Sequence, residues 1–238
     1  MSIGETRLND VKAFASNDVW AVGEFREVTE ALTPQPLLVH WNGTAWQQVL
    51  GESFAGELQS IYGTSPSDVW AVGSGKPIPE DPATTLIEHW DGASWTEVVS
   101  PPALPGDNFL RAVYAITPDD VYALGYGFNG ISSRPLALIF NWDGNSWTRE
   151  LPVVPTRSSL YGLVGDTSGI LFAVGPTLDI LGALTVKCPD AAPVGGFVLL
   201  TAEPRSGREA SSYVLATIAL GLAASSVTFL RTRRFRHR

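Results

Sequence analysis

The chain has 238 residues, enough for one well-buried domain or two small ones, and it is tilted toward Trp (8), Gly (23) and Pro (17) with few charges. That balance suits many short strands joined by tight turns better than helices, and a single cysteine, Cys188, excludes an internal disulfide framework and a multi-Cys metal centre. Five of the sixteen Lys and Arg residues fall in the last eight positions, so behind the net charge of -8 the body of the chain is acidic enough to repel a phosphate backbone, and no nucleic acid is expected as a partner.

Aligned with itself, the chain repeats. Asp18-Val19-Trp20-Ala21-Val22-Gly23 recurs as Asp68-Val69-Trp70-Ala71-Val72-Gly73, as Asp120-Val121-Tyr122-Ala123-Leu124-Gly125, and in worn form as Ile170-Leu171-Phe172-Ala173-Val174-Gly175, at spacings of 50, 52 and 50. A second marker runs in step: His40-Trp41-Asn42-Gly43-Thr44-Ala45-Trp46, His89-Trp90-Asp91-Gly92-Ala93-Ser94-Trp95 and Asn141-Trp142-Asp143-Gly144-Asn145-Ser146-Trp147, lost in the fourth copy. A fixed period with two registered markers is the signature of stacked supersecondary units.

Each unit reads as four strands, clearest in the second copy as Leu58 to Gly63, Val69 to Gly73, Thr85 to Trp90 and Trp95 to Val99. The expected fold is all-β: a β-propeller of four-stranded antiparallel blades, three full and one degenerate, over residues 1–188, with blades near 8–50, 58–100, 110–152 and 159–188. Ser65-Pro66-Ser67-Asp68 and Thr117-Pro118-Asp119-Asp120 supply one tight turn, and the Asn-Gly or Asp-Gly of the second marker supplies the other. The paired Trp are read as packing across that hairpin or between blades rather than as a sugar platform. His40 and His89 are read as side-chain hydrogen-bonding groups, not metal ligands, and the Asp of the first marker as a turn former.

In an up-and-down blade the connections between second and third strands, and between blades, emerge on one face. The long segments Glu24 to Pro36, Ser74 to Thr84 and Tyr126 to Arg134, with Leu50 to Glu57, Ser100 to Phe109 and Leu151 to Ser159, all belong to that face. Variation gathered on one face of a rigid scaffold is where binding is expected. Arg26, Lys76, Glu80, Asp81, Asp107, Phe128, Asn129 and Arg134 are the candidate ligand-binding residues there. No catalytic residue, metal ligand or cofactor is nominated.

Residues 189–212 read as a Pro/Gly/Ser linker, Tyr213 to Leu230 as an uncharged run close to the length of a transmembrane helix, and residues 231–238 as a basic cytoplasmic tail. By the positive-inside rule Arg231, Arg233, Arg234, Arg236 and Arg238 face the cytoplasm and the blades lie outside, on a single-pass plasma-membrane protein. The competing reading of this segment is a buried helix followed by a basic nucleic-acid tail. Met1 to Asn9 lack an apolar h-region, so the expectation is that the chain continues a longer ancestor or starts at an internal Met. Closure of a four-blade ring, with Leu178 to Cys188 as outer strands, is the competing expectation, and an open array would expose edges that permit self-association.

The pairing of DVWAVG with HW[DN]GxxW resembles the kelch-like propeller repeats of bacterial and archaeal surface proteins, over about three quarters of the chain. The same grammar is similar to the repeats of the photosystem II assembly factor family of seven-bladed propellers. That likeness ranks second, because Asp91-Gly92-Ala93-Ser94-Trp95 lacks the second Gly usual in that family's hairpin. Copper enzymes on kelch propellers, such as galactose oxidase, need converging Tyr, His and Cys ligands, and His40, His89 and Cys188 do not match that set. Pro193-Val194-Gly195-Gly196 resembles a juxtamembrane element of some prokaryotic surface proteins. The functional expectation is a membrane-anchored extracytoplasmic module, not an enzyme, that binds a protein or glycan through its long-loop face. A propeller-scaffold hydrolase or lyase, and a truncated fragment of a larger surface protein, are the alternatives.

Overall fold

The structure, a computed structural model, describes residues 3–27, 34–53, 55–76, 78, 80–150, 159–165, 171–176, 181–187 and 197–199. Among these residues all regular structure is strand, arranged as four sheets that each run up and down in simple order. Blade one holds β1 (Ile3–Ala15), β2 (Asp18–Glu27), β3 (Gln35–Trp41) and β4 (Trp46–Val49), and blade two β5 (Gly56–Ser65), β6 (Asp68–Gly75), β7 (Thr84–Trp90) and β8 (Trp95–Glu97). Blade three holds β9 (Asn108–Thr117), β10 (Asp120–Gly127), β11 (Leu136–Trp142) and β12 (Trp147–Glu150), and blade four β13 (Gly162–Gly165), β14 (Leu171–Pro176), β15 (Leu181–Lys187) and β16 (Phe197–Leu199). The first strands β1, β5, β9 and β13 stand next to one another in sequence order, which puts them on the inside of a propeller arc.

One boundary moves. The fourth sheet does not end at residue 188: β16 pairs with β15 through Gly182 with Leu199, Ala183 with Val198 and Leu184 with Phe197, inside the segment read from sequence as linker. A short apolar run behind Gly195 and Gly196 does not stand out by periodicity from its Pro- and Gly-rich surroundings. Cys188, the rest of residues 189–212, the predicted span Tyr213 to Leu230 and the basic tail lie outside the described residues.

The second marker folds as its chemistry requires. Asn42, Asp91 and Asp143 each accept two backbone amides of their own turn through Oδ1, at 2.8 to 3.0 Å, and the following Gly43, Gly92 and Gly144 take φ near 90°. These bonds hold the exposed carboxyls of Asp91 and Asp143 below the usual carboxylate range. The hairpin aligns the two Trp of each marker directly opposite one another, with ring centroids 5.9 Å apart in all three copies.

These Trp pairs also join the blades. Trp20 of blade one sits 5.0 Å from Trp90 and 5.3 Å from Trp95, and Trp70 of blade two 5.1 Å from Trp142 and 5.2 Å from Trp147, edge-on to the second ring in each case. Around them Val22, Leu38, Leu58, Ile61 and Leu86 complete one core, and Val72, Ile87, Leu110, Val113 and Phe140 its counterpart one blade on. The indole N–H groups of Trp70, Trp95 and Trp147 are buried with no acceptor among the described residues, so these junctions rest on apolar area and ring geometry.

A polar fastening runs along the inner strands. Asp10 Oδ2 accepts Ser60 Oγ and the Ile61 amide, both at 2.9 Å, and Ser60 Oγ in turn accepts the Val113 amide at 3.4 Å. Ala112 occupies the equivalent place in blade three, so the series stops at the junction with blade four, where Leu124, Ile139, Leu160, Leu171 and Ala173 pack instead.

The Gly closing the first marker is explained by the neighbouring strand. Cβ atoms on Gly23, Gly73, Gly125 and Gly175 would collide with the carbonyls of Arg7, Glu57, Phe109 and Ser159, and in the first three copies the inner strand bulges at that place. Gly73→Ala is therefore expected to cost about 3 kcal/mol in urea unfolding, from forced strand separation. Gly75→Ala, whose added methyl would meet only Ala55 O and Thr84 Oγ1 at 3.3 and 3.6 Å, should cost well under that.

Candidate functional site

The marker residues are fully employed in the scaffold. His40 Nε2 bonds Asp18 Oδ1 at 2.7 Å and His89 Nε2 bonds Asp68 Oδ1 at 2.8 Å, while each imidazole packs against the Trp it faces across the sheet, Trp20 or Trp70. In blade three Asn141 Nδ2 takes over, reaching Asp120 Oδ1 at 3.2 Å. The histidines thus make the side-chain bond expected of them. The Asp does more than form a turn: it ties the second strand to the third. Among the described residues no three His, Cys, Asp or Glu side chains are grouped to hold a metal ion.

The eight nominated residues lie on the end of the blades that carries the long connections, and the structure unites only some of them. Asp107 Oδ1 accepts the Ala83 amide at 2.7 Å, and its carbonyl accepts the Phe128 amide at 2.9 Å. Phe128 O accepts the Gly106 amide at 2.8 Å, so the connections of blades two and three are stitched together through Asp107 and Phe128. Buried Asn108 anchors the stitch by bonding Leu104 and Gly106. Asn129 turns its own loop by accepting the Ile131 and Ser132 amides, and the Arg134 amide donates to Ser132 Oγ. Arg26 pairs with Glu24 at 3.5 Å on blade one, while Lys76, Glu80 and Asp81 are exposed on the blade-two loop.

A cluster that the markers do not include gathers beside Phe128. Arg111 Nη2 donates to Tyr126 Oη at 3.1 Å, its guanidinium lies 5.4 and 5.5 Å from the Phe109 and Tyr126 ring centres, and Nη1 stands 3.7 Å from Glu57 Oε1. Tyr126 is ringed by Phe109, Phe128 and Tyr161, with centroids 5.3, 6.0 and 5.5 Å away. Partial burial, with Tyr126 alongside, raises the Tyr161 hydroxyl above its ordinary value. The result is a fixed guanidinium, one fifth exposed, at the edge of an aromatic floor, with Tyr161 open to solvent.

The position of this patch follows from the bulge. In the first three copies the Leu behind the marker Gly (Leu8, Leu58, Leu110) is followed by one residue at the bulge, Asn9, Gln59 or Arg111, and in the fourth Leu160 is followed by Tyr161 just before β13. Tyr126 likewise stands where the other copies have Glu24 and Ser74. Aligning the copies and looking for the positions that change chemical class would have pointed to Arg111, Tyr126 and Tyr161. Reading loop length alone passes over them, since Arg111 and Tyr161 sit on or just before inner strands.

Two other titratable clusters lie off the patch. Lys12 Nζ is 3.8 Å from the Tyr62 ring centre and Tyr62 stacks on Tyr114 at 4.4 Å, nearer the short-turn end of the inner strands. Burial, with Tyr114 as hydrogen-bond partner, pushes the Tyr62 hydroxyl up to about 12. Glu88 is wholly buried at the junction of blades one and two, where Oε1 accepts the Ser53 amide at 3.2 Å and Oε2 has no partner among the described residues. Burial raises its carboxyl above the usual range, the Ser53 bonds oppose this, and Glu97 and Glu52 add to it.

Solved structures share the fold. The chain titled "YCF48 bound to D1 peptide" matches with a TM-score of 0.51 and 17% identity, over 84% of this chain and 55% of that one. "YCF48 from Cyanidioschyzon merolae" matches with a TM-score of 0.51 and 15% identity, over 84% of this chain and 58% of that one. The chain therefore spans a little over half the length of either. No family model and no curated protein matches it. At these identities the likeness establishes a β-propeller of four-stranded antiparallel blades.

The buried carboxyl of Glu88 makes a pH-dependent prediction. Its folded pKa is raised, so the folded state holds the proton more tightly, and the stability this contributes is complete at acid pH and lost as pH rises through and above the ordinary carboxylate range. Glu88→Gln should remove that loss, so that the melting temperature of the variant gains on the parent as pH rises from acid to neutral. A gap that narrows over the same range would show that the Ser53 bonds stabilise the charged form instead.

Proposed function

We propose that the chain is a protein-interaction propeller that captures a peptide segment at the patch formed by Arg111, Tyr126, Phe128 and Tyr161, and that it binds without turning its ligand over. The observation that carries this reading is the departure from repeat symmetry on the face with the long connections: Arg111 and Tyr161 stand where blades one and two have the amides Asn9 and Gln59, and Tyr126 where they have Glu24 and Ser74. A guanidinium held in position by Tyr126 and Glu57 matches a carboxylate or main-chain carbonyl, and the aromatic floor takes the apolar side chain beside it. A peptide is favoured over a glycan, because six of the eight Trp are engaged in blade packing and the rings at the patch enclose one another. The likeness to YCF48 bound to D1 peptide supports the same class of ligand.

The setting we propose is the outer face of a plasma membrane, as in kelch-like surface repeats, with Tyr213 to Leu230 as a single anchor and the Arg-rich end in the cytoplasm. The uncharged run and the five arginines that follow it support this arrangement.

Phage-displayed random peptides selected on the purified chain, with affinities read by fluorescence anisotropy, test the binding site. Arg111→Met is expected to weaken the selected peptides about 30-fold, or ~2 kcal/mol, whereas Thr117→Ala at the opposite end of β9 leaves them unchanged. Equal affinity for Arg111→Met and the parent would place the site elsewhere. Orientation is tested by protease added to intact cells, which should digest the blades without lysis; digestion only after lysis would sink the outward-facing arrangement.

A further inference from the structure

The outer hairpin turn of blade one differs from its sister turns at two positions, and packing explains neither difference. All three turns use one side-chain oxygen to hold two main-chain amides: Asn42 Oδ1 accepts those of Thr44 and Ala45, both at 3.0 Å, as Asp91 Oδ1 and Asp143 Oδ1 do in blades two and three. A main-chain N–H needs an acceptor, and only the oxygen of an amide is one, so these contacts fix which end of the Asn42 side chain is which. A carboxylate would serve the turn equally well. What the amide adds is Nδ2, on an exposed residue, donating to nothing among the described residues.

The second difference supplies a third donor. Two places after the Asn or Asp of the turn, blades two and three have Ala93 and Asn145, whereas blade one has Thr44, whose Oγ1 donates to Asn42 Oδ1 at 2.7 Å. Asn42-Gly43-Thr44 is thereby an Asn-x-Thr triplet, and no other asparagine of the chain has Ser or Thr two places on. An amide nitrogen is a poor nucleophile because its lone pair is shared with the carbonyl, and it improves only as its proton leaves and negative charge gathers on the oxygen. In this turn the oxygen already faces three donors, so that charge is met by hydrogen bonds set in place beforehand. The turn is also accessible: Asn42, Gly43 and Thr44 are all exposed, and a methyl on Gly43 would meet Asn17 Cβ at 2.7 Å, which puts the hairpin turn beside the first short turn, at the end of the blades away from Arg111.

We infer that Asn42 is the acceptor of an N-linked oligosaccharide taken from a polyprenyl-pyrophosphate donor. Nδ2 bonds the anomeric carbon of the first sugar as that carbon's bond to the pyrophosphate oxygen breaks; the bonding pair leaves with the lipid pyrophosphate, and one Nδ2 proton passes to a base of the transferase. The amide keeps its carbonyl oxygen and one N–H, so the bonds that hold the turn survive the reaction. The glycan projects from the short-turn end and leaves the end with the long connections open to a peptide. Its occurrence in the cell rests on the outer-face setting proposed above, whereas the acceptor chemistry belongs to the turn itself.

The experiment separates the two. The purified 238-residue chain, in mild detergent, is incubated with an oligosaccharyltransferase and a lipid-pyrophosphate oligosaccharide of known mass, and the intact mass and the peptide containing Asn42 are read by mass spectrometry. A gain of one oligosaccharide, on Asn42, is expected. Asn42→Asp copies the turns of blades two and three and Thr44→Ala that of blade two, so both keep the fold, which an unaltered melting temperature checks. The first should abolish the gain and the second slow it about 100-fold, as loss of one preorganised donor does. Asp91→Asn combined with Ala93→Thr carries both differences into blade two and should add a second oligosaccharide there. No gain in the parent, an undiminished rate in Thr44→Ala, or a bare blade-two turn would each overturn the inference. The same peptide recovered from the chain's own cells tests the setting: a glycan on Asn42 supports both readings, and a bare Asn42 there, with the purified chain modified, would sink the outer-face arrangement and leave the acceptor turn standing.

Discussion

The contact on which the array depends is an indole set edge-on to a neighbour's paired indoles. A single blade buries one face of a small sheet poorly, and four strands of three to thirteen residues cannot enclose a core alone. Trp20 against Trp90 and Trp95, and Trp70 against Trp142 and Trp147, place a large apolar group between adjacent blades, where edge-to-face geometry adds about 0.5–1.5 kcal/mol per ring pair beyond area burial. Everything else in the repeat serves to hold those rings. The Asp–His bond orients the imidazole that backs the strand Trp, the Asn-Gly or Asp-Gly turn sets the hairpin pair opposite one another, and the marker Gly lets the inner strand bulge against the sheet.

Much of this was legible because it repeats. The spacing of the two markers led to four-stranded units, to the turns, to the stacking of paired Trp and to a side-chain bond for His40 and His89. What remained hidden was of two kinds. Some features depend on strand register that no spacing reveals: Asp68 reaching across to His89, or the carbonyl of Glu57 lying where a Cβ of Gly73 would stand. Others are hidden because they do not repeat. Arg111 and Tyr161 occur once each at a position otherwise held by Asn9 and Gln59, and a singular residue inside a strand has no pattern to mark it. The nominated loop residues illustrate the converse. Asp107 and Phe128 lie in long connections, and there they tie two connections together, Asp107 through its carboxylate and carbonyl and Phe128 through main-chain bonds.

The junction of blades three and four is where scaffold rules lapse and distinctive chemistry appears together. Blade four lacks the hairpin Trp pair, so Tyr122 has no such clamp to enter, and Ala112 cannot continue the series of side-chain acceptors begun by Asp10 and Ser60. Aliphatic packing around Leu124, Leu160 and Leu171 holds the two blades instead. At the same junction Tyr126 of blade three, with Phe128 against it, meets Tyr161 just before β13, beside Arg111. A repeat under selection only for packing would keep the Trp pair and the acceptor at every junction, as blades one to three do. The surface proposed to bind lies at that same junction on positions of its own, with Arg111 and Tyr161 where blades one and two have Asn9 and Gln59, and a binding site built into a repeat needs such residues that differ from their counterparts in order to recognise something that is not another blade.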